Sequence, residues 1–355
     1  MSRPLFSVIV PTYGRWRDIG PLLDSVLSQD FDDWECVVTE DASPNQAQVR
    51  AEVDLRIAKS GLNGGPPRIS FHPNPTTLGY DASFRRLIEL ARGRFVFVMG
   101  DDDFVAPGAL RSAAAAIERY PDLGVLLRAY ALFEGTPDNV VQTNRYYTAE
   151  CTFPAGPAAI VACFRRLVAM SGIVLDRDLS HAAATDRWDG TLFYQQWLAA
   201  NILVEKRAVY IPDLMAYFRR GAPAIFGIAK AEQGLFTPGA QPPDTDLRMV
   251  GALMKIARAV ESERGVPIGD AVERDFANYI YHTLAHQAHE PWPVFKKFYC
   301  DLGAQGFNKY AAYHAWFWAI ALLGAPNLNR VIQVVRRLIG HTPNLTSFAR
   351  GASKR

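Results

Sequence analysis

The chain reads RFVFVMGDDDF over residues 94–104. A short unbroken apolar run, here Phe95–Met99, is typical of a strand buried on both faces in a parallel sheet. Asp101, Asp102 and Asp103 follow at the carboxyl end of that strand, where open α/β sheets bind their ligands. Three adjacent aspartates repel one another, so this stretch indicates either an acidic turn exposed to water or a cluster neutralised by a hard cation. Mg²⁺ and Mn²⁺ prefer such oxygen ligands, often one or two carboxylates plus substrate phosphates.

Apolar residues in the first third of the chain alternate between the spacing of strands and the spacing of helices. This alternation predicts right-handed crossovers and a mostly parallel sheet that is covered by helices on both faces. The predicted fold class is therefore α/β with a Rossmann-like sheet. The patterns predict strands at Leu5–Val10, Trp34–Thr39 and Arg68–His72, and helices at Asp18–Gln29, Gln46–Ala58 and Gly79–Arg92.

Polar side chains follow several of the predicted strands. Thr12 and Tyr13 follow the first strand and Asp41 follows the second, as the three aspartates follow the fourth. Because the carboxyl ends of parallel strands lie at one edge of a sheet, these side chains are expected to face one crevice. The chain contains neither G-x-G-x-x-G nor G-x-x-x-x-G-K-[ST], so a nucleotide bound here needs another way to neutralise its phosphates. A cation on the aspartates would supply one.

The order and spacing of these motifs resemble those of the family 2 glycosyltransferases with the GT-A fold. The resemblance covers roughly residues 5–110. The family commonly has Asp-Asp where this chain has Glu40-Asp41, and the second carboxylate is kept. The matching segments are Ser7–Tyr13, Leu27–Phe31, Glu40–Ser43 and Ala91–Arg94, followed by Asp101–Asp103.

The resemblance implies a role for each residue at the predicted crevice. The turn Pro11–Tyr13 and Asp41 would bind the base of a nucleoside diphosphate sugar, and Asp101 would bind its ribose. Asp102 and Asp103 would hold Mn²⁺ or Mg²⁺ on the diphosphate. The implied activity is inverting transfer of a sugar to a hydroxyl of a glycan or a lipid-linked saccharide, with no nucleic acid as partner.

Such a reaction needs a cation or similar group to stabilise the leaving diphosphate and a base to accept the proton of the acceptor hydroxyl. Arg85, on the predicted helix after Gly79, is a candidate for contact with the diphosphate, and a solvated helix face is the alternative. Two rival functions stay open at this point. One is a catalytically silent nucleotide-sugar-binding protein, and the other is a metal-dependent nucleotidyltransferase.

The acceptor side departs from the family pattern. A Glu-Asp pair that supplies the base is expected near Tyr194-Gln195-Gln196, where this chain has no carboxylate. Asp189, at the start of a helix predicted at about Thr191–Asn201, is the substitute candidate for the base, and helix capping is its alternative. The further candidates are Asp186 as a second choice of base, Gln195 and Gln196 for binding acceptor hydroxyls, and Trp188 for stacking on a sugar ring or packing in the core.

The composition changes after about residue 220. Residues 1–220 are predicted to form the nucleotide-sugar-binding catalytic domain, and residues 221–355 a mainly helical region. Gly221–Pro243 is rich in Gly and Pro and is predicted to be a linker or a loop near the acceptor site. His282, His286 and His289 have metal-ligand spacing on a helix, but without a fourth ligand nearby a polar helix face is the preferred interpretation.

The end of the chain is basic and amphipathic. Seven basic residues and no acidic residue follow Asp301, although the whole chain carries a net charge of only +2. Residues 311–339 combine aromatic and apolar residues with an arginine-bearing face, a pattern that predicts contact with the inner membrane surface; packing within the protein or a homo-oligomer contact is the alternative. The four cysteines are scattered and no signal peptide is visible, so a cytoplasmic location, peripheral to the membrane if that contact forms, is expected.

Overall fold

The computed structural model describes residues 3–61, 67–222 and 225–343. At its centre lies one mixed sheet, and the fourth strand is the buried apolar run that precedes the aspartates. This strand ends at Val98, one residue before the predicted end. The strands are β1 (Phe6–Thr12), β2 (Trp34–Glu40), β3 (Ile69–Pro73), β4 (Phe95–Val98), β5 (Phe104–Val105), β6 (Leu123–Phe133), β7 (Val140–Asn144), β8 (Cys151–Phe153), β9 (Val174–Asp176) and β10 (Arg207–Arg219).

The strand order is β3-β2-β1-β4-β9-β6-β10-β5, with β7 paired to β6 and β8 to β10. The pairs β1–β2, β1–β4, β2–β3 and β6–β10 are parallel, whereas β9 runs antiparallel between β4 and β6. The mostly parallel sheet predicted from the sequence is therefore confirmed. Since β1 and β4 are neighbours, their carboxyl ends bring the turn after β1 next to the three aspartates.

Helices cover both faces of the sheet. One hydrophobic cluster packs α1 and α4 against one face, and a second cluster packs α3, α5 and α7 against the other. The helices of this part of the chain are α1 (Trp16–Leu27), α2 (Gln46–Ser60), α3 (Tyr80–Leu90), α4 (Ala109–Arg119), α5 (Pro157–Phe164), α6 (Arg177–Ala182) and α7 (Tyr194–Glu205), with a 3-10 turn at Arg165–Val168.

Helix α7 begins at Tyr194, three residues later than the predicted start at Thr191. The reason is Asp81 on α3, whose carboxylate accepts hydrogen bonds from the backbone N–H groups of Thr191, Leu192 and Tyr194 at 2.8–3.0 Å. Leu192 has a positive φ of 68°, which interrupts any helix running through it. A contact between distant parts of the chain thus overrides the local helical pattern.

The C-terminal region is helical, as predicted. Its first helices share one hydrophobic cluster with α5 and α7, so Leu253 and Ile256 pack in the same core as Leu198. None of the helices in the described part of the chain is both long enough and apolar enough to cross a membrane. The helices are α8 (Pro243–Arg264), α9 (Gly269–Tyr279), α10 (Tyr281–Gln287), α11 (Trp292–Ala304), α12 (Ala311–Leu323) and α13 (Ala325–Ile339), with a 3-10 turn at Phe307–Lys309.

Candidate active site

A cleft of about 460 Å³ lies at the carboxyl ends of β1 and β4. The start of α3, the start of α7 and the segment 225–241 close its other sides. The structure therefore brings together most of the residues that the sequence places at one crevice. The predicted site residues that line this cleft are Pro11, Thr12, Tyr13, Asp41, Asp101, Asp102, Asp103 and Gln195.

Asp101 joins the two strand ends directly. Its carboxylate accepts a hydrogen bond of 2.7 Å from the hydroxyl of Thr12, which is the last residue of β1. Burial raises the pKa of Asp101 to about 6, and the neighbouring charge of Asp102 acts in the same direction. The carboxylate therefore favours partners that are cations or hydrogen-bond donors, such as a ribose hydroxyl.

Arg15 is a site residue that the sequence reasoning missed. Its guanidinium forms ion pairs with Asp101, at 3.6 Å, and with Asp102, and it lines the cleft with them. It follows Tyr13 by two residues in the turn between β1 and α1. This position, directly after a predicted ligand-binding turn, is the feature of the sequence that could have identified it as a site residue. Its positive charge compensates part of the repulsion among the aspartates.

Asp103 is more deeply set, with only 7% of its surface exposed. It accepts hydrogen bonds from the hydroxyl of Ser171 at 2.5 Å and from the backbone N–H of Arg219 at 2.9 Å. Burial raises its pKa to about 7, with further contributions from the charges of Asp102 and Asp101. The carboxylate is therefore held in one orientation while its negative charge remains poorly compensated.

A buried arginine supports the loop that carries Ser171. Arg128, in the middle of β6, is fully buried and donates hydrogen bonds to the carbonyl oxygens of Ala169 and Ser171. The Ser171 hydroxyl in turn bonds Asp103, and its oxygen accepts from the N–H of Gly100 at 2.8 Å. The orientation of Asp103 thus depends on a chain of hydrogen bonds that begins in the core.

Asp41 fixes the loop before α3. Its carboxylate accepts hydrogen bonds from Asn74 at 2.6 Å and from the backbone N–H groups of Leu78 and Gly79 at 2.8 and 2.9 Å. Glu40, the residue that departs from the family pattern, points elsewhere and accepts from the N–H of Ser43 at 3.2 Å. The retained acid of the Glu-Asp pair is therefore the one that lines the cleft.

The aspartate cluster fits a divalent cation that also has phosphate ligands. No group of three or more His, Cys, Asp or Glu side chains in the described residues has the geometry of a complete metal site. The raised pKa values of Asp101 and Asp103 nevertheless show negative charge that the protein itself compensates only in part. One or two carboxylates completed by substrate phosphates and water are a common arrangement for Mg²⁺.

Asp189 does not line this cleft. It forms a bidentate ion pair with Arg85, which also donates a hydrogen bond of 3.2 Å to the carbonyl oxygen of Thr185. Both side chains line an adjoining surface recess, together with Lys230 and with Thr77, which also lines the cleft. The structure therefore places the predicted base and the predicted diphosphate-binding arginine side by side but apart from the aspartates, and both roles stay predictions.

The remaining acceptor-side candidates have different environments. Trp188 is buried and packs against Trp197 at a ring distance of 5.4 Å, Gln196 is fully buried, and Asp186 is exposed. Gln195 lines the cleft and accepts a hydrogen bond of 2.9 Å from the hydroxyl of Tyr80. Of this group, only Gln195 is positioned to meet a ligand in the cleft.

Glu232 is a second residue that the sequence reasoning missed. It lines the cleft, although only 3% of its surface is exposed. Its two oxygens accept hydrogen bonds from the backbone N–H of Tyr80 at 3.0 Å and of Gly227 at 2.8 Å. The available signal was a lone carboxylate in the Gly- and Pro-rich segment that was predicted to lie near the acceptor site.

Comparisons with known proteins agree with this architecture. Residues 7–168 match the model of the family described as glycosyl transferase family 2. The poly(ribitol-phosphate) beta-N-acetylglucosaminyltransferase TarS of Staphylococcus aureus is 31% identical over 122 residues, which are 32% of this chain and 19% of TarS. A Campylobacter jejuni protein, GalNAc(5)-diNAcBac-PP-undecaprenol beta-1,3-glucosyltransferase, is 31% identical over 108 residues, 30% of this chain and 32% of that protein. The chain spans less than half the length of these curated relatives.

Solved structures are similar over a larger part of the chain. Residues 1–349 of S. aureus TarS, crystallised with UDP-GlcNAc, superpose with a TM-score of 0.55 at 16% identity, covering 95% of this chain and 92% of that one. The mannosyltransferase PcManGT of Pyrobaculum calidifontis, solved with GDP-Man and Mn²⁺, gives a TM-score of 0.50 at 15% identity, covering 95% and 88%. Residues 7–168 of the chain therefore form a glycosyltransferase family 2 domain, and the chain has the GT-A fold.

Proposed function

We propose that the chain is an inverting glycosyltransferase that moves a sugar from a nucleoside diphosphate donor to a hydroxyl of a glycan or a lipid-linked saccharide. The observation that carries this proposal is the convergence of Tyr13, Asp41 and Asp101–Asp103 on one cleft of a GT-A fold. The neighbours whose structures contain UDP-GlcNAc or GDP-Man support a nucleotide sugar as the donor class.

The donor would lie along the carboxyl ends of β1 and β4. Tyr13 and Asp41 would contact the base, and Asp101 would accept a hydrogen bond from the ribose. Asp102 and Asp103 would hold Mn²⁺ or Mg²⁺, which acts as a Lewis acid toward the diphosphate when it is bound. Arg15, already beside Asp101 and Asp102, is placed to pair with a phosphate oxygen.

In the proposed reaction, an acceptor hydroxyl oxygen forms a bond to the anomeric carbon while the bond from that carbon to the diphosphate oxygen breaks. The bonding electrons leave with the nucleoside diphosphate, and the hydroxyl proton passes to a protein carboxylate. No acid is needed for a leaving group whose charge is already stabilised. Water must be excluded from the cleft so that it does not replace the acceptor hydroxyl. The segment 225–241, which carries Glu232, forms one wall of the cleft.

Two carboxylates are candidates for the base. Asp189 is the residue predicted from the sequence, but its ion pair with Arg85 holds its carboxylate in an adjoining recess. Glu232 lies in the cleft itself, so it needs a smaller movement to reach an acceptor hydroxyl. General-base catalysis requires hydrogen-bond reach before a matched pKa, and this geometric requirement favours Glu232.

Incubation with a panel of nucleoside diphosphate sugars and Mn²⁺ tests the proposal. Donor breakdown should release a free nucleoside diphosphate, whereas release of pyrophosphate would instead indicate a nucleotidyltransferase. Titration of the same donors by calorimetry gives binding independently of turnover. If the chain binds donors but turns none over with any of a range of sugar acceptors, the result favours a catalytically silent nucleotide-sugar-binding protein. The presence of Gln195 and Gln196 where the family has an acidic pair would fit that function.

A further inference from the structure

A second cavity, larger than the donor cleft, lies between the sheet and the C-terminal helices. It encloses about 1000 Å³. Most of its wall is apolar or aromatic, with contributions from the sheet, from α8 and α10, and from α12 and α13. Representative wall residues are Tyr130, Leu253, Ile280, Trp316, Leu328 and Ile332.

This cavity borders the donor cleft. The residues Val168, Ala169, Phe193, Gln241 and Met249 line both spaces. A molecule in the large cavity is therefore in contact with the same loop that carries Ser171, the partner of Asp103. The shared residues lie at the end of the 3-10 turn and the loop after it, just before α7, and just before and within α8, so the large cavity borders the side of the cleft that is proposed to receive the acceptor.

The charged groups around the cavity are mainly positive. Arg165, Arg220, Arg336 and Arg337 line it, against one carboxylate, that of Asp246, within the described residues. Asp246 is already engaged by the side-chain amide of Gln287 at 2.6 Å and by His286 at 2.9 Å. Arg220 pairs with Glu134 at 3.2 Å and Arg165 with Asp275 at 2.8 Å, so the excess of positive charge beside the apolar volume comes mainly from Arg336 and Arg337.

Arg336 is a partly buried cation of this group. Within the part of the chain that the structure describes, no carboxylate forms an ion pair with it, and its Nε atom is buried without a hydrogen-bond partner. Burial lowers the pKa of Arg336, and the nearby charge of Arg165 adds to this effect. Arg165 is paired with Asp275 at 2.8 Å, yet its Nη2 atom is also buried without a partner.

Two neighbouring guanidinium groups with unsatisfied N–H donors are costly in an apolar setting unless an anion accepts from them. A phosphate-type group has the charge and the oxygens to satisfy both, while a small anion alone would leave the apolar volume unfilled. The rim of the cavity is also apolar, since Val331 and Val335 line it and are 54% and 41% exposed. An occupant with an anionic group and a hydrocarbon part matches both features.

We propose that this cavity binds the acceptor as an anionic amphiphile, with a phosphate-type group on Arg336 and Arg165 and a hydrocarbon part along the apolar walls. The identification of the amphiphile as the acceptor rests on the proposed glycosyltransferase function. The binding of the amphiphile itself does not, because it depends only on the cavity and its arginines.

Binding of dodecyl phosphate below its critical micelle concentration tests the inference, with the fluorescence of Trp316 and the other tryptophans or calorimetry as readout. The chain should bind dodecyl phosphate, and Arg336→Gln should weaken that binding at least about tenfold, as expected for loss of a charge-assisted hydrogen bond. Arg330→Gln is the matched control, because Arg330 lies on the same helix but is exposed and outside the cavity. It should bind dodecyl phosphate as the unchanged chain does.

Two further probes separate the contributions of charge and hydrocarbon. Inorganic phosphate at the same concentrations should not compete, and neutral dodecyl maltoside should bind more weakly than dodecyl phosphate and be insensitive to Arg336→Gln. Equal binding of dodecyl phosphate by Arg336→Gln and Arg330→Gln would overturn the inference. Competition by inorganic phosphate would also overturn it, since a simple anion site would then explain the arginines.

Donor binding, measured in parallel with each variant, keeps the two proposals apart. Arg336→Gln should bind nucleoside diphosphate sugars normally and unfold at the same temperature as Arg330→Gln. If neither the unsubstituted chain nor any variant binds a nucleotide sugar, the proposed function fails, but the result for dodecyl phosphate binding in the cavity still stands. If donor turnover occurs but dodecyl phosphate neither binds nor slows transfer to a lipid-linked acceptor, the inference fails alone.

Discussion

The two sides of the cleft are built in different ways. The donor side consists of the ends of β1, β2 and β4, and its residues fall between Pro11 and Asp103, within the segment that matches the family model. The acceptor side is assembled from α3, α7 and the segment 225–241 by contacts that span more than a hundred residues, such as those of Asp81 and Glu232. The proposed donor side thus falls within the segment that matches the family model, whereas the opposite side depends on residues outside or far along that segment.

The sharpest test of the donor side is Asp103→Ala. Loss of a group that stabilises developing charge commonly reduces turnover by about a hundredfold to a thousandfold, so metal-dependent transfer should fall by at least that much. Stability should change little, because removal of a carboxylate whose burial raises its pKa offsets the loss of the hydrogen bonds from Ser171 and Arg219. Asp32→Ala is the control, since Asp32 is exposed and forms a surface ion pair with Arg68. Full Mn²⁺-dependent activity in Asp103→Ala would remove Asp103 from the metal role.

On the acceptor side, Glu232→Gln and Asp189→Asn form a matched pair. Removal of a general base commonly costs about a hundredfold to ten-thousandfold in turnover, so Glu232→Gln should lower kcat strongly while the donor KM changes little. Asp189→Asn should retain most of its kcat, because Asp189 lies in another recess. The opposite pattern, with kcat lost only in Asp189→Asn, would return the base to the residue predicted from the sequence.

A smaller effect is expected from the pH dependence of stability at Asp81. Burial raises the pKa of this carboxyl to about 7, even though three backbone N–H groups point at it. The folded chain then holds a proton that the unfolded chain releases near its ordinary pKa, so the free energy of unfolding should decrease between about pH 4 and pH 7 and level off above. Denaturant unfolding at several pH values should show a weaker decrease in Asp81→Asn. An unchanged pH profile in that variant would show that Asp81 ionises as an ordinary carboxyl.

The smallest expected effect concerns Gly79, which lies against the segment carrying Glu232. Gly79 has a φ of 91°, and a Cβ atom there would lie 2.7 Å from Oε1 of Glu232. Gly108→Ala is a suitable control, because Gly108 also has a positive φ, 74°, but has open space around it. Both variants should lose about 1 kcal/mol from backbone strain. Only Gly79→Ala should also speed proteolysis within residues 225–241; equal cleavage in both would mean that the contact does not hold this segment.

The sequence predicts the cluster of residues on the donor side because each polar residue directly follows a recognisable strand in the chain. An apolar run followed by aspartates predicts a strand end, and neighbouring parallel strands place Thr12 beside Asp101. Arg15 was missed because neither the strand-end argument nor the family pattern assigns it a role, although it follows Tyr13 by two residues and its partners are the predicted aspartates. The acceptor side is harder still, since nothing near Glu232 reveals that its partner is the N–H of Tyr80. The prediction of Asp189 as the base came from its position at a predicted helix start, and the sequence gives no sign of its ion pair with Arg85 on α3.

Arg128 supports a loop that the donor cleft and the apolar cavity share. It is fixed beneath the loop of Ala169 and Ser171, which touches the apolar cavity on one side and orients Asp103 on the other. A ligand that displaced this loop from one side would therefore be expected to change the affinity at the opposite side. By thermodynamic linkage such coupling is reciprocal, so an amphiphile that tightens donor binding must itself be bound more tightly once the donor is present.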